Sequence, residues 1–263
     1  MYKKAQFLLV LLLVFFFTSC ATSTRNSQKD IIPREAFTKI EKLLTIHVCD
    51  EEKGVCATAK YGSTASGAVV RNTPYGSYVL TAEHVCDESY IEDFVKEIGA
   101  EKYTVDFKIV DISGNKYRVE IVNTDAKNDI CLLWVEDLYM QSLAISPKAP
   151  EPGDRTYNIA APLGIFSVNM IPIFDGYYSG ERDNKAFYTI PAAGGSSGSP
   201  VLNHKGELIG MIHSVYTRFA HVSLSPTYSD LTSFLDANIK RHSALYIIDV
   251  YTRTLVGIKK SIQ

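Results

Sequence analysis

Residues 194–202 read Gly-Gly-Ser-Ser-Gly-Ser-Pro-Val-Leu, and the interpretation of the whole chain starts from this stretch. Gly195 and Gly198 flank Ser197 where a tight turn must let backbone N–H groups approach a ligand, which glycine permits because it has no side chain. Pro200 cannot donate to a sheet, which is tolerable at the first residue of a strand. A plain Gly-rich hairpin would explain the glycines equally well, so the function of this turn depends on other segments.

Two further segments carry groups that complement a serine. Residues 78–86 read YVLTAEHVC and place His84 after an apolar run, and residues 128–135 read NDICLLWV and place Asp129 before one. Acyl transfer needs a hydroxyl nucleophile, an imidazole that takes its proton and a carboxylate that fixes the imidazole tautomer. Asp125 is a nearby competitor, and we prefer Asp129 because the apolar strand begins directly after it.

The three segments together resemble the trypsin-like serine protease superfamily, and within it the bacterial HtrA-type and glutamyl-endopeptidase branches. The first matches the family pattern S-G-x-V-V followed by Y-V-L-T-A-x-H-V, the second matches D-I-x-L-L-x-V, and the third matches G-x-S-G-S-P followed by G-E-L-I-G. The resemblance covers roughly residues 40–238. It implies an all-β, double-barrel fold of two six-stranded halves with a few short helices, one of them C-terminal and packed on the barrels.

The resemblance also implies a role for each matching residue. Ser197 is expected to be the nucleophile, His84 the general base and Asp129 the orienting acid, while the N–H groups of Gly195 and Ser197 form the oxyanion hole. No cofactor is implied, and the expected partner is a polypeptide substrate. The residues expected to line the primary specificity pocket are Pro191, Ala192, Ala193, Ile212, His213 and Ser214.

Departures from the family pattern refine these expectations. Residues 188–193 contain no acidic side chain, so we expect small or medium apolar residues before the cleaved bond. The glutamyl-endopeptidases have a histidine in this pocket, but His213, counted from Gly210, lies one residue beyond that position. The alternative to a pocket role is that His213 is an ordinary strand residue. Ser196 replaces the Asp that pairs with a newly cut N-terminus in digestive proteases, so activation by that ion pair is not expected.

The N-terminus reads as an export signal. Lys3 and Lys4 precede an apolar run over residues 7–17, which fits a secretory signal and is shorter than the roughly 20 residues that a membrane-spanning helix needs. The ending Phe-Thr-Ser-Cys resembles a bacterial lipobox, which predicts lipidation of Cys20 and anchoring in the bacterial cell envelope. The alternative is ordinary cleavage after Ala21. The chain then divides into a lipoprotein-type signal peptide at 1–20, a tether at 21–35, a protease domain at 36–239 and a C-terminal extension at 240–263.

Four cysteines remain after Cys20. Export to an oxidising compartment makes disulfides plausible, and Cys49 and Cys56 flank a turn-like hexapeptide that predicts a stapled hairpin. Cys86 and Cys131 lie two positions after His84 and Asp129. If the family fold makes His84 and Asp129 neighbours, the two cysteines are close enough to form a second disulfide. The alternative is two free buried thiols. No C-x-x-C or H-x-x-x-H spacing is present, so no metal site is expected.

Apolar or alternating runs recur every ten to fifteen residues, with turn residues between them, which predicts an all-β barrel or sandwich. The predicted strands are residues 45–48, 67–70, 78–81, 103–110, 117–122, 130–135, 157–160, 186–190, 200–202, 208–213 and 220–224. Helical spacing of apolar residues predicts helices at 33–44, in part of 83–99, and at 229–239. The extension at 240–263 is expected to form extra strands or a tail.

Composition limits the other classes of function. The 263 residues include 27 Lys and Arg against 29 Asp and Glu, a formal net charge of −2, so there is no broad basic surface for nucleic acid. The sequence therefore predicts an exported, lipid-anchored serine endopeptidase. Its rivals are a protease fold held in an inactive geometry that binds or senses a partner, and a structural lipoprotein of the envelope.

Overall fold

The computed structural model describes residues 31–50, 55–100, 102–216 and 218–261, and nearly half of them lie in two antiparallel sheets of seven strands each. The strands of the first sheet are β1 (Phe37–Asp50), β2 (Val55–Thr73), β3 (Gly76–Thr81), β4 (Lys102–Val110), β5 (Lys116–Arg118), β6 (Glu120–Asp125) and β7 (Ile130–Glu136). Their order across the sheet is β5-β4-β1-β2-β3-β7-β6. The longest pair is β1 with β2, which Cys49 and Cys56 join by a disulfide.

The second sheet is built from the later half of the chain. Its strands are β8 (Arg155–Ile159), β9 (Ile173–Arg182), β10 (Lys185–Tyr188), β11 (Ser199–Leu202), β12 (Leu208–Ile212), β13 (Ser214–Tyr216) and β14 (Phe219–Pro226). Their order is β12-β11-β8-β9-β10-β14-β13. Seven strands rather than the expected six lie in each sheet, and each sheet includes one strand of only three residues, β5 or β13.

In the part of the chain that the structure describes, three α-helices accompany the sheets: α1 (Glu83–Cys86), α2 (Ser89–Glu97) and α3 (Tyr228–Ser261). Short 3₁₀ turns occupy Arg34–Ala36 and Pro162–Gly164. The helical pattern over 83–99 is thus divided into two helices by an extended Asp87. No helix in the described ranges is long and apolar enough to cross a membrane.

The helix predicted over residues 33–44 is wrong, because this segment is a 3₁₀ turn followed by strand β1. The buried residues Ile40, Lys42, Leu44 and Ile46 alternate, as one face of a strand requires. Lys42 hides this period in the sequence, because its buried ammonium group donates to the carbonyls of Val85 and Asp87 and lies 3.7 Å from the Glu88 carboxylate. A hydrophobicity pattern treats every lysine as polar, so it does not identify Lys42 as a core residue.

The expectation that residues 240–263 form strands or a tail is wrong for residues 240–261, which belong to helix α3. Beyond the predicted 229–239 segment, α3 packs on the first sheet through aromatic rings. The Tyr246 ring centroid lies 5.2 Å from that of Trp134, and the His242 imidazole contacts the Tyr78 hydroxyl at 2.9 Å. The helix continues because a neighbouring sheet covers one of its faces, which no local pattern reveals.

The largest buried cluster takes side chains from both sheets and from α3. It includes Phe37, Leu80 and Leu132 of the first sheet, Ile159 and Met211 of the second, and Leu231 and Leu235 of the helix. Strand β9 was not predicted, because only Gly176 and Tyr178 of its ten residues are buried and no apolar run marks it. The predicted signal peptide, Cys20 and the tether up to residue 30 lie outside the described residues.

Candidate active site

His84 and Asp129 meet because they stand at the ends of two paired strands. Strand β3 ends at Thr81, and α1 carries His84 three residues later; strand β7 begins directly after Asp129. The strands are antiparallel neighbours, with Thr81 opposite Cys131, so the end of one lies beside the start of the other. The sequence separation of 45 residues between the two side chains is therefore closed by one strand pairing.

The Asp129 carboxylate holds both the ring and the backbone of His84. The imidazole Nδ1 lies 2.9 Å from Oδ2 and 3.0 Å from Oδ1, and the His84 N–H donates to Oδ1 at 3.0 Å. Because an ionised carboxylate only accepts, Nδ1 must carry the proton in this contact. The Nε2 atom then keeps its lone pair, which is the form that a general base requires.

A disulfide fixes the same pair of segments from behind. Cys86, two residues after His84, is bonded to Cys131, two residues after Asp129, with 6.5 Å between the Cα atoms. Of the two alternatives for these cysteines, the structure therefore contains the bridge. Together with Cys49–Cys56, it indicates an oxidising and hence exported location.

A second histidine, His213, also lies beside the Asp129 carboxylate. Its Nδ1 is 3.5 Å from Asp129 Oδ2, and the residue is only 8% exposed. The sequence interpretation gave this histidine a place among the residues of the specificity pocket. Its contact in the structure is with the acid that holds His84.

The three groups have different proton affinities. The hydrogen bond to Asp129 raises the pKa of His84 above its usual value, although burial opposes this. Burial would raise the pKa of the Asp129 carboxyl, but the hydrogen bonds from His84 outweigh it and lower that pKa. Burial lowers the pKa of His213 to about 4, despite the neighbouring carboxylate. At neutral pH Asp129 is therefore ionised and His213 is neutral.

The turn that carries Ser197 is tied to the first sheet by Ser66. The Ser66 N–H donates to the Ser197 carbonyl at 2.8 Å, and the Ser66 hydroxyl donates to the Gly195 carbonyl at 2.8 Å. The same hydroxyl accepts the Ala161 N–H at 3.0 Å. One buried serine thus orients two carbonyls of the turn away from the face that a substrate would meet.

The N–H groups of Gly195 and Ser197 are available to a ligand. Within the described part of the chain, neither the Gly195 nor the Ser197 N–H donates a hydrogen bond. The Gly194 carbonyl accepts the Leu163 N–H at 2.6 Å, and in a trans peptide this points the Gly195 N–H the opposite way. The free donors match the pair expected to form an oxyanion hole.

Glycine is required on both sides of Ser197. Gly195 and Gly198 have φ values of +95° and +85°, which side chains rarely tolerate. A Cβ on Gly198 would lie 2.1 Å from the Ser66 carbonyl oxygen and 2.9 Å from the Cα of Thr81. The Ser197 turn therefore packs directly on the strand end that leads to His84.

Ser197 itself is half-buried, and its hydroxyl makes no hydrogen bond within the described residues. Contacts between a catalytic serine and its histidine are often loose in an unliganded site and tighten when substrate binds. Ser196 is 1% exposed, and its hydroxyl accepts the Ala193 N–H at 3.3 Å. Ser196 therefore closes the turn locally, where an Asp in other branches is expected to bind a new N-terminus.

The other expected pocket residues lie on two neighbouring segments of the second sheet. Pro191 and Ala192 are half-buried and Ala193 is exposed, in the segment that follows β10. The Ala192 N–H donates to the Ala220 carbonyl at 3.2 Å, which joins this segment to β14. Ile212 is buried and Ser214 is half-buried, at the end of β12 and the start of β13.

The comparison with protein families agrees with this geometry. Residues 65–211, more than half of the chain, match the model of the trypsin-like peptidase domain. The chain belongs to this family. No curated protein matches it.

Many solved structures share the fold of this trypsin-like peptidase domain. One of them is a serine endoprotease from Yersinia pestis, which is similar with a TM-score of 0.57 and 18% sequence identity. The alignment covers 79% of this chain and 64% of that one, so the present chain spans less than two thirds of its length. At this identity the similarity establishes the fold, a trypsin-like double barrel.

The structure adds residues to this candidate site that no motif marks for this role. Ser66 lies in a motif of the first sheet, and its hydrogen bonds to Gly195 and Ser197 join parts of the chain that are far apart in sequence. Leu163, which binds the Gly194 carbonyl, has no motif of its own. Across the described ranges, no group of three or more His, Cys, Asp or Glu side chains could hold a metal ion.

Proposed function

We propose that this trypsin-like peptidase is a serine endopeptidase that hydrolyses peptide bonds through an acyl-enzyme. The observation that carries the proposal is the Ser197 turn, whose two free N–H groups stand beside a strand end that leads to the His84–Asp129 pair. A structural role would not need unpaired donors next to a serine. The family membership supports a serine peptidase in general.

In the proposed mechanism, Ser197 Oγ attacks the substrate carbonyl while His84 Nε2 takes its proton. The carbonyl oxygen becomes negative and is stabilised by the N–H groups of Gly195 and Ser197. Asp129 keeps His84 in the Nδ1–H tautomer and stabilises the imidazolium. His84 then gives its proton to the leaving amine, and water releases the acyl group by the same steps in reverse.

A second candidate is a protease fold that binds or senses a partner without cleaving it. The observation in its favour is the absence, within the described residues, of a hydrogen bond from the Ser197 hydroxyl to His84. In that case the groove would hold a polypeptide, and replacing Ser197 by Ala would leave the function unchanged.

We also propose that the protein is attached to the bacterial cell envelope through a lipid on Cys20. The support is the resemblance of residues 17–20 to a lipobox, together with the oxidising location that two disulfides indicate. Metabolic labelling with an alkyne fatty acid tests this point. Label that disappears in Cys20→Ala is expected, and unlabelled protein cleaved after Ala21 would contradict it.

Hydrolysis of a peptide pool tests the proposed activity. Purified residues 21–263 are incubated with the pool, and new termini are identified by mass spectrometry beside the Ser197→Ala variant. We expect cleavage after small or medium apolar residues that is absent in the variant. Cleavage that persists in Ser197→Ala, or no cleavage by a folded wild-type protein, would contradict the proposal.

A further inference from the structure

A cavity of about 520 Å³ lies between the β1–β2 hairpin and helix α2, away from the specificity residues of the second sheet. Its volume falls within the range of about 300–1,000 Å³ that is typical of ligand sites. Leu44 and Ile91 lie at its base, and both are buried. Tyr61, Tyr90 and Phe94 are the aromatic residues that line it.

Two of these aromatic side chains are more exposed to solvent than is usual for large side chains. Tyr61 is 52% exposed and Tyr90 is 55% exposed, although they are large side chains. The Tyr61 ring meets Phe94 edge to face with 5.9 Å between centroids, so two of the rings that line the cavity contact each other. Exposed aromatic surface beside an apolar base is typical of a binding site.

The cavity borders an edge of β2 that, within the described residues, pairs with no second strand. Strand β2 pairs with β3 only from Ala68 onward, so within the described residues its earlier part pairs with β1 alone. The Ser66 N–H points away from β1, because it donates to Ser197. Alternation along a strand then places the N–H and C=O groups of Thr64 and Gly62 on the same open side. An extended peptide can add to such an edge by backbone hydrogen bonds.

In the proposed mechanism the leaving chain starts beside His84, which is near this edge in the chain. His84 gives its proton to the leaving amine, and α2, one wall of the cavity, begins at Ser89, shortly after His84. The buried Lys42 amine, also at the cavity, donates to the carbonyl of Val85, directly after His84, at 3.3 Å. The specificity residues for the acyl half lie instead on the second sheet, at Ala192 and Ser214.

The distance along β2 from Ser66 to the cavity predicts which substrate residue reaches the cavity. Ser63 lines the cavity, and Ser66, which holds the Ser197 carbonyl, follows three residues later. At about 3.3 Å per residue this is roughly 10 Å, or about three residues of extended substrate. Asp93 and Glu97 stand at the cavity and bring negative charge, which favours a basic side chain next to the apolar one.

We propose that this cavity is a subsite for the leaving chain of the substrate, which takes a large aromatic or aliphatic side chain about three residues beyond the cleaved bond and favours a basic residue beside it. The proposal rests on the proposed peptidase function. It assigns Tyr61 and Phe94 as residues that determine specificity without touching the cleaved bond.

Two paired measurements test it. The first compares kcat/KM for two internally quenched peptides that differ at one residue. The third residue after the cleaved bond is Phe in one peptide and Ala in the other, and Lys follows it in both. The second compares binding of the fluorescein-labelled peptides Ala-Ala-Phe-Lys-Ala-Ala and Ala-Ala-Ala-Lys-Ala-Ala to the Ser197→Ala protein. We expect the Phe peptide to be preferred about tenfold or more in both, as for a large apolar side chain entering a pocket.

The variants Tyr61→Ser and Phe94→Ala should each reduce this preference towards one. Tyr61→Ser changes an exposed strand residue, so it keeps the test valid if Phe94→Ala does not fold. Tyr139→Ala is the matched control, because Tyr139 is 62% exposed, lies in the segment after β7 and does not line the cavity. It should keep the wild-type preference.

The outcomes separate this proposal from the proposed function. Equal kcat/KM and equal binding of the two peptides by the wild-type site would overturn the subsite, even if cleavage depends on Ser197. A preference that survives in both Tyr61→Ser and Phe94→Ala would also overturn it. Binding preference without any Ser197-dependent cleavage would overturn the peptidase function, and with it the assignment of the bound peptide as a leaving chain.

Discussion

Asp129 orients His84 through its ring and its backbone at the same time, and this predicts a large kinetic effect. Replacing Asp129 by Asn should lower kcat/KM by about 10⁴-fold, because an amide can donate to Nδ1 and so favours the wrong tautomer. Fold and stability should change little. Steady-state hydrolysis of an apolar peptide substrate, with circular dichroism of the variant, measures both effects.

The matched control is Asp125→Asn, four residues earlier. Asp125 accepts the N–H groups of Lys127 and Asn128, so it organises the turn and does not contact His84. Its replacement should cost far less activity. A larger loss from Asp125→Asn than from Asp129→Asn would show that the acid has been assigned to the wrong residue.

The pH dependence of activity follows from the same contact. As a general base His84 acts only when neutral, so kcat/KM should rise with pH through the His84 pKa, which Asp129 raises above 6.5. In Asp129→Asn the residual activity should have its acid limb at lower pH, because the main cause of the raised pKa is gone. An unchanged acid limb would mean that another group controls it.

Gly198 should be the least replaceable residue of the Ser197 turn. Gly198→Ala meets both a positive φ and a Cβ placed 2.1 Å from the Ser66 carbonyl oxygen. Gly153→Ala is the control, since Gly153 has φ +96° and open space around it. The control should cost about 1–2 kcal/mol of unfolding free energy for the left-handed backbone, and Gly198→Ala clearly more. Urea unfolding measures both, and equal costs would contradict the packing described.

His213 predicts a specific loss of stability in acid. Its pKa is about 4 in the folded protein against 6.5 for an ordinary histidine, so the unfolded chain binds more protons between these values. Stability should therefore fall as pH decreases from about 6.5 to 4, by up to about 3 kcal/mol. Asp129 loses its charge below this window, because its pKa is lowered from 3.8.

Urea unfolding at pH 7 and pH 4.5 compares the wild type with His213→Gln. The variant should lose less stability over this interval, whereas His221→Gln, which changes an exposed histidine, should behave as the wild type does. An identical pH dependence in His213→Gln would show that His213 is not buried as a neutral group beside Asp129.

Among the structural elements, the bridge between α1 and β7 is the one that holds the His84 and Asp129 segments together. The chain-entropy model assigns about 4 kcal/mol to the Cys86–Cys131 loop and about 2.5 kcal/mol to the shorter Cys49–Cys56 loop. The double variant Cys86→Ala/Cys131→Ala should lose stability and also kcat. The matched double variant Cys49→Ala/Cys56→Ala should lose less stability and keep kcat, since its bridge lies at the far end of β1 and β2.

Thermal unfolding and steady-state kinetics of the two double variants check this prediction. Equal kcat values for both would show that strand pairing alone aligns His84 with Asp129. A greater kinetic loss from the Cys49–Cys56 variant would contradict the assignment of the second bridge to the site.

Strand β1 shows where patterns within a single element stop being informative. Apolar residues at 37, 40, 43 and 44 have helical spacing, yet Leu43 is 36% exposed and Lys42 is 6% exposed. The deciding factor is the set of carbonyls at Val85 and Asp87 that accept the Lys42 amine. Those partners lie more than forty residues away, so no window along β1 contains the information.

At the scale of the whole molecule, the candidate site residues could be predicted from the sequence because each lies in a short motif next to an apolar strand. The double-barrel fold followed from their resemblance to one family, and it is confirmed. What the motifs did not contain are contacts between distant parts of the chain: the link from Ser66 to the Ser197 turn, the contact of His213 with Asp129, and the packing of α3 on Trp134. Each arises only when the two sheets and the helix come together.

The two sheets also explain why the proposed activity should depend on the intact fold. His84 and Asp129 flank strands of the first sheet, Ser197 precedes a strand of the second, and Ser66 of the first sheet holds the Ser197 turn. The proposed reactivity of Ser197 therefore requires the assembled molecule, since neither half contains both the proposed nucleophile and the proposed base.

Labelling with a fluorophosphonate probe tests this central claim most directly. Purified residues 21–263 are treated with the probe, and the modified residue is identified by mass spectrometry, beside Ser197→Ala and His84→Ala. We predict one adduct, on Ser197, that is absent from the first variant and strongly slowed in the second. A folded wild-type protein that remains unlabelled, or an adduct on another residue, would contradict an activated serine at this site.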